Sequence, residues 1–172
     1  MVRSDTQRTD LLDKLADHLL ARGLAGSSLR PLAAAAGLSD RMLLYHFKDK
    51  AEIMAATLER VAARMVVLLG ANTAATPLAF DALRARLVPI VLDDAFWPFM
   101  RLWLEMAARA GQGDALYREI GGQIGRGFLA WGAGQLDSED PSRDAARLLV
   151  TVEGMVLLKS IGLEDVARAA LD

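Results

Sequence analysis

Along the chain, apolar residues recur three and four positions apart, while short runs alternating between apolar and polar residues are nearly absent. The first spacing is that of a helix face and the second that of a half-buried strand, so the pattern predicts an all-α chain. A first helix is expected from near Asp5 or Thr6 to Arg22-Gly23, with Leu11, Leu15, Leu19 and Leu12, Ala16, Leu20 on adjacent ridges of one face. A second, short helix follows from Ser28 to Ala36, with Ser28 as N-cap and Gly37 in the left-handed position that ends it. Pro31 then falls at the third helical residue, where a missing N–H removes no internal hydrogen bond. Ser39 is placed to cap a third helix running to about Phe47, with Asp40 in its first turn favoured by the helix dipole. Asp49-Lys50-Ala51-Glu52 reads as a capping box for a fourth helix, from Lys50 to about Leu69, with Ile53, Leu58, Val61, Met65 and Leu68 near one side.

Gly70 to Pro77 is the clearest break in the pattern. Beyond it, segments 78–93, 95–110, 114–136 and 141–160 read as helices, followed by a shorter one from about Leu163 to Leu171; Pro89 and Pro98 kink or delimit two of them. Glycines at 121, 122, 125, 127, 132 and 134 fall in one helical segment, where each is unfavourable unless close packing uses it. They predict a tight helix crossing.

Composition adds bounds rather than detail. At 172 residues and 53% apolar content the chain suits one or two domains with a sizeable core. The longest uncharged stretch, Met65 to Phe80, contains Asn72, two threonines and Pro77, too short and too polar for a membrane span. Asp5, Asp10 and Asp13 interrupt the N-terminal apolar residues, so no secretory signal is expected. The lack of cysteine excludes disulfides and thiolate chemistry and is compatible with a cytoplasmic location, the expected one. With only His18 and His46, far apart, no metal site is expected, and His18 reads as a partly buried structural residue. No G-x-S-x-G elbow, H-E-x-x-H pair or phosphate-cradling glycine loop is found, so no catalytic residue is assigned and no cofactor is implied.

The net charge of −2 conceals an asymmetry: residues 1 to 50 carry eight Lys/Arg against six Asp/Glu, and the remainder is acidic. The small basic excess sits on the three short helices. Two helices joined by a glycine-containing turn and braced by a first form a helix-turn-helix, whose second helix enters the DNA major groove. The residues opening that helix are Ser39, Asp40, Arg41 and Met42. Arg41 suits bidentate bonding to guanine, Asp40 suits cytosine N4 or the helix start itself, and Met42 suits a thymine methyl. Tyr45, His46, Lys48 and Lys50 are candidates for phosphate contact, with Ser28 and Arg30 of the preceding helix completing the set. For each of these the plainer alternative is a solvated surface residue. Leu32, Leu38, Leu43 and Phe47 read as core.

The run SLRPLAAAAGLSDRMLLYHFKDKAEI, Ser28 to Ile53, resembles the DNA-binding signature of the tetracycline-repressor (TetR) family, a likeness covering about the first 55 residues. RLWLEMAARAG at 101–111 and VEGMVLLKSIG at 152–162 resemble segments of that family's regulatory domain. The resemblance implies a helix-turn-helix domain over residues 1–49 and a helical regulatory domain for ligand binding and dimerisation over 50–172. It also implies a homodimer through the late helices near 114–136 and 141–160, the second carrying Ala145, Leu148, Leu149, Val152, Met155 and Val156 on one face. Such a dimer would bind a near-palindromic double-stranded operator, generally as a repressor, and be released by a small-molecule effector. Phe96, Trp97, Phe99, Met100, Trp103, Met106 and Trp131 are candidates for the effector pocket, ordinary core being the alternative; the few charges among them suggest a largely hydrophobic effector. Where many members have a DNA-contacting tyrosine this chain has Leu44, expected to face inward and to leave Tyr45 and His46 for the backbone. Two other readings remain: a helical small-molecule-binding protein that has lost specific DNA binding, and an enzyme on a helical scaffold.

Overall fold

A computed structural model of the chain describes residues 2–71 and 76–170. Its helices are α1 (Val2–Arg22), α2 (Leu29–Ala36), α3 (Asp40–His46), α4 (Lys50–Ala71), α5 (Phe80–Val91), α6 (Trp97–Gly111), α7 (Ala115–Gly134), α8 (Pro141–Ser160) and α9 (Glu164–Ala169), with one turn of 3₁₀ helix at Leu24–Gly26. Among the described residues there is no strand; a single parallel bridge joins Leu78 to Leu136. The all-α expectation therefore holds.

Several boundaries differ from those the sequence suggests. Helix α1 starts at Val2, upstream of Asp5, because no glycine or proline among residues 2–6 stops helical backbone there. Helix α4 continues through Gly70 to Ala71, so its inward line is Ile53, Leu58, Val61, Met65 and Leu69; Leu68 is turned out. The rest of the expected break includes residues 72–75, which lie outside the described residues, as does Leu171 beyond α9. Pro98 sits in the first turn of α6, where it needs no donor, and α5 ends two residues after Pro89.

Two apolar cores stack along the molecule. The first gathers Leu15 and Leu19 of α1, Leu32 of α2, Leu43 of α3, Phe47, and Ile53 and Met54 of α4, and continues into Leu102 and Met106 of α6 and Ile120 and Ile124 of α7. The second joins the end of α4, through Met65 and Leu69, to α5, the start of α6, α8 and Ala167 of α9. Helix α4 thus belongs to both cores. Helix α7 packs on α6 and α8, and its glycines divide between crossing and open surface. A Cβ on Gly121 would meet Met106 at 3.6 Å and one on Gly132 would meet Ala145 at 3.6 Å, whereas Gly127 and Gly134 face open space. His18 is half-buried, its Nε2 3.1 Å from the Gly26 carbonyl, in the structural role expected of it.

Candidate nucleic-acid interface and apolar cavity

The turn between α2 and α3 is built from backbone geometry that only a few residue types permit. Gly37 takes φ 73°, ψ 27°, its N–H bonds the Ala34 carbonyl at 3.0 Å, and the Leu38 N–H reaches back to Ala33 at 2.9 Å. This is the left-handed termination that glycine makes at no steric cost. Ser39 then caps α3, its Oγ accepting from the Met42 N–H at 3.2 Å. Ser28 precedes α2 in extended conformation, and its side chain makes no cap hydrogen bond.

Helix α3 is held from one side by Leu43 and Phe47, both buried and one turn apart. Its remaining surface is open: Arg41, Met42 and Tyr45 are exposed, Tyr45 to 83%. Leu44 is 40% exposed, which corrects the expectation that it faces inward. The Leu43–Phe47 line fixes the inward direction, and a rotation of about 100° per residue carries Leu44 off it. His46 is half-buried and meets Tyr45 edge-on, with ring centroids 5.8 Å apart.

The step from α3 to α4 uses the capping residues expected from the sequence, joined by Arg8, which no local pattern reveals. Glu52 accepts from the Lys48 N–H at 2.7 Å, while its own N–H bonds Asp49 Oδ1 at 2.9 Å, a capping box displaced by one residue from the usual pairing. Arg8 of α1 bonds Glu52 Oε1 at 3.0 Å and the His46 carbonyl at 2.9 Å, with its guanidinium 4.6 Å from the centre of the Phe47 ring. The Lys48 N–H, and then Arg8, hold the Glu52 carboxyl below the usual glutamate range. Farther along, Asp13 of α1 receives Arg60 and Arg64 of α4 at 2.6 Å each, and Asp17 receives Arg64 at 2.6 Å. The bonds from Arg60 and Arg64 hold the Asp13 carboxyl down at about 2, against desolvation.

The pairing of charge is uneven. Arg8, Arg60 and Arg64 are committed to carboxylates, but among the described residues no ion pair engages Arg30, Arg41, Lys48 or Lys50. Ser28, Arg30, Ser39, Asp40, Arg41, Met42, Tyr45, Lys48 and Lys50 are all exposed around the ends and outer side of α2, α3 and the start of α4. Unpaired cations and hydroxyl donors flanking an open helix are the groups that phosphates and base edges take.

The second core encloses a cavity of about 80 Å³. Four pocket candidates line it, Phe96, Met100, Trp103 and Trp131; Trp97, Phe99 and Met106 do not. Trp97 packs at the edge of the second core with Lys159 Nζ 5.2 Å from its ring centre, and Met106 is buried in the first core. Phe99 stacks on Phe96 with centroids 5.2 Å apart. The sequence reading missed the walls supplied by Met65 and Leu69 of α4, Phe128 of α7, and Leu148 and Val152 of α8, because residues far apart in the chain converge there without any local pattern. It also missed Glu153, whose Oε2 accepts from Trp103 Nε1 at 2.8 Å. The signal was present: an acid within the apolar run VTVEGMVLL.

Among the described residues, no group of three or more His, Cys, Asp or Glu gathers as metal ligands would, and no helix is long and apolar enough to cross a membrane. Short capped helices, an open third helix and a separate helical core with a cavity define a helix-turn-helix regulator. The profile of bacterial regulatory proteins of the tetR family matches residues 11–64, from α1 into α4. A transcriptional regulator from Rhodococcus sp. Rha1 is 25% identical over 94% of this chain and 89% of its own, with a TM-score of 0.67. A TetR-family regulator from Cytophaga hutchinsonii shares the fold at a TM-score of 0.76, with 17% identity over 99% of this chain and 92% of its own. The regulator FadR from Bacillus subtilis, in complex with stearoyl-CoA, shares it at 0.61, with 14% identity over 94% of both chains. No curated protein matches the chain. Over residues 11–64 the chain matches the tetR family of bacterial regulatory proteins, and solved regulators share the fold of the rest.

Proposed function

We propose that the chain acts as a dimeric repressor that binds a near-palindromic operator through α3 and leaves it when a small molecule enters the cavity of the second core. The observation that carries the DNA reading is the set of unpaired cations, Arg30, Arg41, Lys48 and Lys50, gathered around an exposed α3. Arg41 would read a guanine, Tyr45 and His46 would meet the backbone, and Lys50 would hold phosphate at the N-terminus of α4.

Dimerisation is supported by an apolar stripe on the outer side of α8: Val150, Leu157 and Ile161 are 73%, 54% and 62% exposed, and Gly154 lies open between them. Gly127 and Gly134 of α7 offer small open positions of the kind a helix from a second subunit could approach. A two-fold pair would set its reading helices about 34–36 Å apart.

Release is supported by α4, which begins at Lys50 beside the reading helix and ends with Met65 and Leu69 in the cavity wall. At about 80 Å³ the cavity is well below the ~300 Å³ at which ordinary small-molecule sites begin, so a ligand would have to push its walls apart. Displacement of α4 would be passed to α1 through the Asp13–Arg60–Arg64 bonds, and of α6 through Arg101, which bonds the Leu20 carbonyl at 2.7 Å. A coupling of about 1–3 kcal/mol suffices for a 5- to 150-fold change in DNA affinity. The stearoyl-CoA complex of FadR supports an apolar ligand in a body of this fold. A cytoplasmic location fits a regulator of DNA.

Selection of bound fragments from random double-stranded DNA tests the reading. Enrichment of a near-palindrome, with half-sites about one turn apart, is the expected result; enrichment of nothing while ligands still bind would turn the reading to a helical binding protein. Leu157→Arg should convert the dimer into monomers in sedimentation and abolish operator binding while leaving helicity intact.

A further inference from the structure

The cavity holds one group that a purely apolar ligand would not need. Among its lining residues Glu153 is the single ionisable one; no lysine, arginine or histidine joins it from α4, α5, α6, α7 or α8. Trp103 Nε1 is its hydrogen-bond donor, and no other described residue bonds or pairs with it. One neutral donor does not compensate a carboxylate removed from water, and desolvation accordingly raises the carboxyl above the usual glutamate range, with the Trp103 bond opposing. The rest of the wall is aromatic and aliphatic: Phe96, Trp103, Phe128 and Trp131 line the same cavity, and aromatic rings are favourable neighbours for positive charge. An anionic head, such as a fatty acid or a phosphate, finds no cation here.

We propose that the effector is an amphiphilic cation, with an apolar body filling the cavity and an ammonium group that pairs with Glu153 against the aromatic walls. This rests on reading the cavity as the effector site, and it replaces a generic hydrophobic ligand by a chemical class. Binding restores to Glu153 the charge partner it lacks within the chain. Trp103 then acts as the positioning residue, holding one carboxylate oxygen so that the other faces the ligand.

Three probes on one skeleton separate the possibilities: phenylbutylamine, phenylbutanol and phenylbutyrate, titrated into the full chain with tryptophan fluorescence and calorimetry as readouts. The amine should bind about tenfold more tightly than the alcohol, with the carboxylate weakest. Glu153→Gln should bring the amine to the alcohol's affinity while changing the alcohol's own by less than about threefold. In the wild-type chain the amine's advantage should shrink as pH is lowered, because the Glu153 carboxyl, raised by desolvation, takes up a proton while the amine stays charged. That arm needs no variant and so does not depend on Glu153→Gln folding. Equal binding of amine and alcohol, tightest binding of the carboxylate, or an amine preference that survives in Glu153→Gln overturns the proposal and leaves the cavity a ligand site. Binding of none of the three, in a folded chain, counts against the ligand-site reading as well.

Discussion

The two cores put similar apolar residues to different use. In the head, Leu15, Leu19, Leu32, Leu43 and Ile53 are fully buried, and the hollow between α1, α2 and α3, at Leu11, Lys14, Ala36 and His46, is an open surface groove. In the body, larger side chains such as Phe96, Met100, Trp103 and Trp131 surround a space they do not fill. A closed core fixes the angle at which α3 is presented, as the proposed base contacts would require. An unfilled one leaves dispersion contacts unmade and permits rearrangement when something enters. On the proposed function, reading and sensing ask opposite things of packing, and α4, which belongs to both cores, is where they would meet.

The same Leu→Ala change tests this contrast directly. Leu43→Ala in the head should cost about 2–5 kcal/mol in urea or thermal unfolding and abolish DNA binding. Leu148→Ala in the cavity wall should cost about half as much, since that side chain already faces empty space on one side. Equal costs would remove the distinction between the cores.

Asp13→Asn probes the joint between α1 and α4 with a smaller effect, about 1–2 kcal/mol once solvent screening of the part-exposed pair is allowed for. Because the folded carboxyl is held at about 2 against an ordinary 3.8, its stabilisation is complete above 3.8 and is lost as pH falls through that interval. The variant should therefore differ from wild type at neutral pH and converge with it near pH 2; an offset that does not change with pH would mean that the carboxylate is not its source.

The smallest effect is expected at Gly127. An added Cβ meets nothing within 4 Å, so Gly127→Ala should stabilise the isolated subunit by up to about 1 kcal/mol through helix propensity. A loss of dimer in the same variant, read by sedimentation, would place this face of α7 in the subunit interface.

The contrast also explains what the sequence could convey. Gly37, Ser39 and Asp49 act on groups within a few residues of themselves, so cap and turn chemistry gave α2, α3 and the start of α4 almost to the residue. Leu44 was misplaced because resemblance to a tyrosine position says nothing about which way a leucine turns, whereas the Leu43–Phe47 spacing does. Arg8 reaches Glu52 across 44 positions and Trp103 reaches Glu153 across 50; neither pairing leaves a local pattern. For the same reason four of the seven residues assigned to the pocket reach the cavity, while Trp97, Phe99 and Met106 pack elsewhere.

On the proposed function α3 reads base edges while the start of α4 holds phosphate. Binding of wild type, Arg41→Ala and Lys50→Ala to the selected operator and to random DNA, followed by fluorescence anisotropy across a salt series, tests it most directly. Arg41→Ala should lose about 1–3 kcal/mol on the operator alone and relax preference at one base position. Lys50→Ala should weaken both DNAs alike and flatten the salt slope by about one unit. Variants that bind both DNAs as wild type does, with the same salt dependence, would contradict the claim.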